Sequence, residues 1–389
     1  MNHDTSSGII IQSLMKKLLM VVNEDRFFLS HRSPLALAAK EAGYDVAVAA
    51  KDTGRRHEIE SSGLRFIDLP INPTGMNPAE EIRTLRFLCR LYRKEKPDIV
   101  HHVGLKNILW GGVAARLLGV PGVVNAVSGL GGLFNGGGRL SAVTRGILGV
   151  MRFSNRRKGV KVIFQNSDDL DIFLRQKVVS EKQVEFTKGS GIDLEDFRPV
   201  AEPPSGPVNV IFTARMVREK GVCDLVEAAE LLKPAYASRL RFLLCGRITP
   251  NKSGITEEYM REHCDGSYIC WLGERDDVKT LLENSHIMAF PSYYREGVPK
   301  SLIEASAIGR PIVTCDSTGC RDVVEDGVNG ILVAPRNARR LAEAIASLAD
   351  DAAMRLRMGQ ASRARAEKEF DIKSVVNTHL RIYKELSYD

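Results

Sequence analysis

The residues best suited to do chemistry lie in the second half of the chain. Ala214-Arg215 is followed after four residues by Lys220-Gly221, and Glu296-Gly297-Val298-Pro299 is followed after four residues by Glu304-Ala305. An arginine and a lysine in one loop suit a diphosphate, the first as a bidentate fork and the second as a point charge. Two glutamates eight residues apart can both accept hydrogen bonds from sugar or ribose hydroxyls. Gly and Pro just ahead of a helical run mark a helix start, whose N–H groups and dipole favour phosphate. Each signal has a plainer reading when taken alone. A basic pair in a loop is ordinary surface, and the glutamates read as a helix-terminal acid and a solvated one. No Gly-x4-Gly-Lys-Ser/Thr loop occurs, so this is not a P-loop protein.

These residues need elements that present them. Short apolar, β-branched runs at 17–22, 45–50, 64–68, 98–102, 120–125 and 160–165 alternate with helical patterns near 32–43, 78–95, 107–118, 140–157 and 168–176. The alternation restarts at 208–214, 239–245, 268–272, 286–290, 311–315 and 330–333. It predicts an α/β protein of two Rossmann-like, doubly wound domains facing across a cleft, with ligands beyond the carboxyl ends of the strands. The expected division is a leader at 1–14, a first domain at 15–200, a Pro/Gly-rich linker at 201–207 and a second domain at 208–370. A last helix over 371–389 is expected to pack back toward the first domain. Met15 is a second candidate start, and 17–22 is too short and too soon followed by charge for a signal peptide.

The 389 residues carry 55 Lys+Arg against 48 Asp+Glu, with 44% hydrophobic and 26% charged residues, which excludes disordered and collagen-like classes. The positive excess lies in the first half: residues 83–161 hold fifteen Lys/Arg and two acids, Glu95 and Asp98. Such a cluster predicts a polyanionic partner. The segment 140–158 reads either as a packed helix with a basic outer face or as an interfacial helix on anionic lipid. The helix near 83–96 would extend that patch. The seven cysteines form no Cys-x-x-Cys pair, so a structural zinc site is not expected and a reducing compartment is. No run is long enough to span a membrane.

Read together, Ala-Arg-x4-Lys-Gly, Glu-Gly-Val-Pro-x4-Glu-Ala, Gly309-Arg310-Pro311, Gly319-Cys320-Arg321 and Asp326-Gly-x-Asn-Gly330 resemble the retaining glycosyltransferases of family four, which have the GT-B fold. Phe28-Leu-Ser-His31-Arg32, His101-His102 with Lys106, and the run from Val124 to Gly131 resemble the branch that builds bacterial surface polysaccharides on polyprenyl diphosphate. The resemblance implies catalytic roles for Glu296, Arg215, Lys220 and His102. It implies nucleotide-sugar binding by Arg215, Lys220, Gly297, Val298, Glu304 and Arg247, and acceptor binding by His31, Arg32 and Lys106. It further implies a UDP-sugar donor, an N-acetylhexosamine transferred to a polyprenyl-diphosphate-linked saccharide, and no metal cofactor. The protein would then be cytoplasmic and peripheral on the inner membrane face, against an anionic surface and without nucleic acid.

Two rivals remain at this point: a UDP-N-acetylglucosamine 2-epimerase-like enzyme of the same fold, and a nucleic-acid-binding protein using the basic half. Against the second, aromatics are 6% and not interleaved with the cations. Asp169-Leu-Asp171 matches a metal-binding pattern, but Asn166 and Ser167 ahead of it favour a helix cap with first-turn acids. The glycines at 129–132 and 136–138 complete no dinucleotide fingerprint and are expected to give flexibility at the acceptor mouth.

Overall fold

A computed structural model describes residues 15–73, 75, 77–131, 141–249 and 254–388. The expected leader at 1–14 and the glycines at 132 and 136–138 lie outside the described residues. The chain divides into two compact units, one up to Thr187 together with Lys373 onward, the other Lys188–Ile372. The division thus falls at 187/188, earlier than the Pro/Gly-rich stretch at 201–207, because residues such as Ile192 already pack in the second unit's core.

In the first unit the order is β1 (Lys17–Glu24), α1 (Asp25–His31), α2 (Ser33–Glu41), β2 (Asp45–Lys51), α3 (Arg56–Ser61), β3 (Arg65–Asp68), α4 (Pro78–Glu95) and β4 (Ile99–Val103). There follow α5 (Leu105–Leu118), β5 (Gly122–Ala126), α6 (Ala142–Asn155), β6 (Val160–Phe164), α7 (Ser167–Arg175) and β7 (Val184–Phe186). Every strand pair is parallel, in the order β3-β2-β1-β4-β5-β6-β7. Parallel strands carry helices on both faces, so their residues are apolar without alternation. Leu19 and Val21 of β1 enter one core cluster, while Leu18, Met20 and Val22 enter the other. The final helix, α14 (Ile372–Tyr388), contributes Ile382, Tyr383 and Leu386 to that second cluster.

The second unit has β8 (Val208–Thr213), α8 (Val222–Tyr236), β9 (Leu240–Cys245), α9 (Glu257–His263), β10 (Ile269–Gly273), α10 (Val278–Glu283), β11 (Ile287–Phe290) and α11 (Lys300–Ile308). After these come β12 (Ile312–Cys315), β13 (Gly330–Val333), α12 (Ala338–Asp350) and α13 (Ala352–Glu369). Its sheet is parallel, in the order β10-β9-β8-β11-β12-β13.

Local chemistry sets the ends. Asn77 caps α4 by accepting from the Ala79 N–H at 3.0 Å, with Pro78 at the first helical position. Asn166 caps α7 through the Asp169 N–H at 2.8 Å, and Asp171 pairs with Arg175 at 3.3 Å, so the Asp-x-Asp residues serve helix ends. The helix expected over 32–43 is present as α2, and a short helix that was not expected, α1, precedes it and ends at His31. The apolar face of α6 is spent on the core, with Leu148 and Met151 buried and Ile147 and Val150 packed against them. Val143 and Phe153 stay exposed among its outer cations.

Candidate functional site at the strand carboxyl ends

Each sheet has one place where the chain reverses its direction of growth. In the second unit β8 lies between β9 and β11, and in the first β1 lies between β2 and β4. The crevice beyond the carboxyl ends at such a point is where doubly wound sheets take ligands.

In the second unit the loops flanking that point carry the basic pair and the first glutamate. From β8 the chain passes Ala214 and Arg215, makes one tight turn at Arg218–Lys220 and enters α8 through Gly221. From β11 it passes Pro291 to Pro299, which caps α11. Lys220 Nζ forms an ion pair with Glu296 Oε1, each side chain only 13% exposed. The ammonium also stands over the rings of Phe290 at 5.2 Å and Tyr294 at 5.7 Å. Ser292, fully buried, sets its Oγ 3.1 Å from Glu296 Oε1 and 3.3 Å from the Glu219 carbonyl. The N–H groups of Tyr293 and Tyr294 donate to that same carbonyl at 3.0 and 3.1 Å, so the two loops are laced together.

Arg215 is exposed, and among the described residues its guanidinium has no acid and no hydrogen-bond partner. With Lys220 and Glu296 neutralising one another, Arg215 leaves the strand ends with a net positive charge. Arg247 is tied to this loop by its carbonyl, which accepts the Met216 N–H at 2.9 Å. Val298 is 7% exposed and belongs to the core, so only its backbone is at hand for a ligand. Glu304 lies on α11, 3.6 Å from Lys300 Nζ; burial pushes its carboxyl above the usual range, and Lys300 works against that shift.

Two glycines let these loops close up. A Cβ on Gly221 would stand 2.2 Å from the Pro291 carbonyl oxygen, and one on Gly319 would stand 1.7 Å from that of Gly297. Both have left-handed φ, +79° and +83°, which also favours glycine.

In the first unit His31 ends α1, after β1, with its ring stacked on Phe27 at 4.1 Å and its Nδ1 2.6 Å from Ser30 Oγ. Lys106, after β4, is engaged: its ammonium donates to the Asn72 carbonyl at 2.6 Å and to the Gly75 carbonyl, and pairs with Glu81 at 2.5 Å. It fastens Asn72 and Gly75 to α4.

Two expected site residues are corrected. His102 is fully buried within the first unit, its Nε2 2.8 Å from Tyr92 Oη and its Nδ1 2.8 Å from Asn125 Oδ1. Asn125 donates onward to Asn155 Oδ1 at 2.9 Å, which assigns the His102 proton to Nδ1. Burial takes its pKa down to about 4, Asn125 opposing, so it is a neutral structural residue and not a catalytic one. Arg32 is 2% exposed, beside His101, His379 and Tyr383, so it is not a surface for an acceptor; burial lowers its pKa to about 10.

The sequence reading missed Ser292 and Asp25. Ser292 directly follows Pro291 at a strand end, and nothing in its spacing marks it. Asp25 is fully buried and accepts from the N–H groups of Arg26, Thr53 and Arg55 at 2.7, 2.7 and 2.9 Å. Against the upward push of its burial, these bonds and the Thr53 hydroxyl hold its carboxyl below the usual range.

Comparison with known proteins agrees with the fold. Residues 17–166 match the family model described as glycosyl transferase 4-like, and residues 193–365 match that of glycosyl transferases group 1. The N,N'-diacetylbacillosaminyl-diphospho-undecaprenol alpha-1,3-N-acetylgalactosaminyltransferase of Campylobacter jejuni is 25% identical over 92% of this chain and 97% of its own. An Escherichia coli UDP-Gal:alpha-D-GlcNAc-diphosphoundecaprenol alpha-1,3-galactosyltransferase is 22% identical over 87% and 89%. Among solved structures, Anabaena HepE, crystallised with UDP and glucose, superposes with a TM-score of 0.75 at 17% identity, over 96% of this chain and 100% of that one.

Proposed function

The chain is a glycosyltransferase of family four with two parallel-sheet α/β units of the GT-B type, and from that premise we propose its reaction. It moves an N-acetylated hexose, with retention at the anomeric carbon, from a UDP-sugar to a saccharide carried on polyprenyl diphosphate. The observation that carries this is the Lys220–Glu296 pair at the reversal point of the second sheet, with Arg215, in the same loop as Lys220, unpartnered among the described residues. The similarity to enzymes whose names specify diphospho-undecaprenol acceptors supports the acceptor class.

Arg215 and Lys220 hold the donor diphosphate and stabilise the charge that gathers on it as the C1–oxygen bond breaks. Glu296 accepts hydrogen bonds from the donor-sugar hydroxyls, with the backbone of Gly297 and Val298 alongside. Glu304 accepts from the ribose. The acceptor hydroxyl oxygen forms its bond to C1 on the face the diphosphate leaves, and its proton passes to the departing diphosphate oxygen. This route needs no side-chain nucleophile, so neither glutamate is assigned that role. Two cations already supply the charge stabilisation that a metal ion gives elsewhere. On the acceptor side His31 stands after β1, and the basic first half favours an anionic membrane surface, where a lipid-linked acceptor is held. Among the described residues no helix is long and apolar enough to cross a membrane.

The test is a transfer assay with UDP-GalNAc, UDP-GlcNAc and UDP-galactose against undecaprenyl-diphosphate-linked mono- and disaccharides, with and without a chelator. One UDP-sugar giving an α-linked product, undiminished by the chelator, is the expected result. A free sugar nucleotide interconverted without acceptor would overturn the transfer, and chelator-sensitive turnover would overturn the metal-independent route.

A further inference from the structure

The first unit carries a pocket of about 1070 Å³ whose lining residues include Arg156, Arg157, Lys158, Lys161, Lys177 and Lys182 and no Asp or Glu. Its walls come from the segments that precede β5 and β6, Pro121 and Gly159 among them, and from residues 177–183 after α7. These lie at the amino ends of the strands. His31 and Lys106 follow the carboxyl ends of β1 and β4, so the two places are a strand length apart, roughly 16 Å for five residues. The pocket is therefore separate from the acceptor residues of the same unit.

Its charge is not balanced by the protein. Lys161 pairs with Glu185 at 2.9 Å and with Glu385 at 3.5 Å. Among the described residues the other five cations form no ion pair. Arg157 is anchored by its guanidinium on the carbonyls of Val120 and Pro121, the latter at 3.3 Å, while its Nε is buried without a partner. Burial lowers its pKa, and the neighbouring Arg116 lowers it further. Arg116 itself donates to the Arg156 carbonyl at 2.9 Å, so like charges are gathered rather than spread. Lys177 holds a left-handed φ of +51°, a conformation a lysine adopts rarely, at the pocket wall. Some other surface cations pair with acids, as Arg175 with Asp171 and Arg381 with Glu385. Here the protein concentrates positive charge in a concave space and leaves its neutralisation to something else.

We propose that this pocket, at the amino-end edge of the first sheet, binds a phosphate-bearing anion, either a free diphosphate or the headgroup of an anionic phospholipid. Phosphate oxygens suit both a guanidinium fork and several ammonium groups, and each cation then gains a partner without leaving water entirely. The inference does not depend on the transfer reaction, since neither the donor residues nor the acceptor residues enter it.

The experiment uses the full chain with UDP saturating, so that a diphosphate probe does not report the nucleotide site. Inorganic pyrophosphate is titrated calorimetrically, and sedimentation is measured with phosphatidylglycerol and with phosphatidylcholine vesicles. The pocket variant is Arg156→Ser, Lys158→Ser, Lys182→Ser, three exposed side chains. The control removes the same charge from the second unit, as Arg261→Ser, Arg339→Ser, Arg357→Ser. With each basic residue contributing about fivefold, the pocket variant is expected to bind about a hundredfold more weakly, and the control within about twofold of the parent. Pyrophosphate binding identifies a free phosphate ligand. Retention on phosphatidylglycerol alone identifies a lipid headgroup. Equal binding by the two triple variants, or no binding of either probe by the parent, overturns the proposal. Should the pocket triple fail to fold, Lys182→Ser alone must weaken binding about fivefold. Because sugar transfer is not the readout, a failure here leaves the transferase assignment untouched.

Discussion

At the scale of single residues, the two cations of the donor loop differ in what they owe the protein. Arg215 has no described partner and is exposed, so Arg215→Ala should leave the unliganded melting temperature unchanged. It removes a charge-assisted contact worth about 1.5–3 kcal/mol, so UDP affinity should fall by one to two orders of magnitude and the melting shift induced by UDP should largely vanish. Lys220 is bound to Glu296 and covers two aromatic rings. Lys220→Ala therefore strands a mostly buried carboxylate and should cost about 1–3 kcal/mol of stability even without nucleotide. Adding Glu296→Gln should recover part of that stability but none of the nucleotide affinity. Melting curves of the four proteins with and without UDP check this. Equal effects of the two single substitutions on the unliganded protein would contradict the pairing.

At the scale of elements, the loops act as fitted parts, and glycine decides the fit. Gly319 follows β12 and presses against the Gly297 carbonyl beside Glu296. Gly319→Ala must push that loop away as well as strain its own backbone. Gly327 has a similar left-handed φ, +75°, but a Cβ there meets nothing within 4 Å. Gly327→Ala should thus cost only the backbone term, about 1 kcal/mol, and keep UDP affinity. Gly319→Ala should cost more and weaken UDP binding; denaturant titration and UDP calorimetry on the pair would separate loop displacement from φ strain. The same level shows what the sequence could disclose. Strands such as 17–22 and 286–290 were legible because buried parallel strands are unbroken apolar runs. β7, three residues long and only half-buried, carries too little pattern to be seen. α1, seven residues long, is also hidden, since it is short and follows directly on the charged end of β1. Arg215, Lys220, Glu296 and Glu304 were legible from spacing at strand and helix ends. Ser292 was not, because its role arises from a contact with a loop more than seventy residues away. His102 misled for the opposite reason: a histidine at a strand end looks available until Tyr92 and Asn125 are seen to occupy both its nitrogens.

At the scale of the whole molecule, the buried titratable groups are divided unevenly between the two units, and the division sets the response to acid. His101, His102 and His379 are buried in the first unit. Burial takes His102 to about 4 and His379 to about 3, with His101 also well below its ordinary value. The charged and titratable groups around His101 and His379 are Arg32, Tyr383, His102 and one another, with no carboxylate among them. In the second unit only His286 is lowered in this way, by a burial that Glu202 partly offsets. An unfolded chain takes up protons on its histidines below about pH 6.5, whereas the folded first unit refuses them until about pH 4. Its stability is therefore complete above pH 6.5 and falls as pH drops, by about 1.4 kcal/mol per pH unit for each such histidine. Glu304 in the second unit has the opposite sign: its raised carboxyl gains stability as pH falls through its folded value. Hydrogen exchange at pH 7, 6 and 5 should accordingly show the amides of β1–β6 losing protection several-fold faster per pH unit than those of β8–β13. His379→Gln should remove about one third of the first unit's slope. Parallel loss of protection in both sheets would mean that the histidines titrate alike folded and unfolded, and that burial does not govern them.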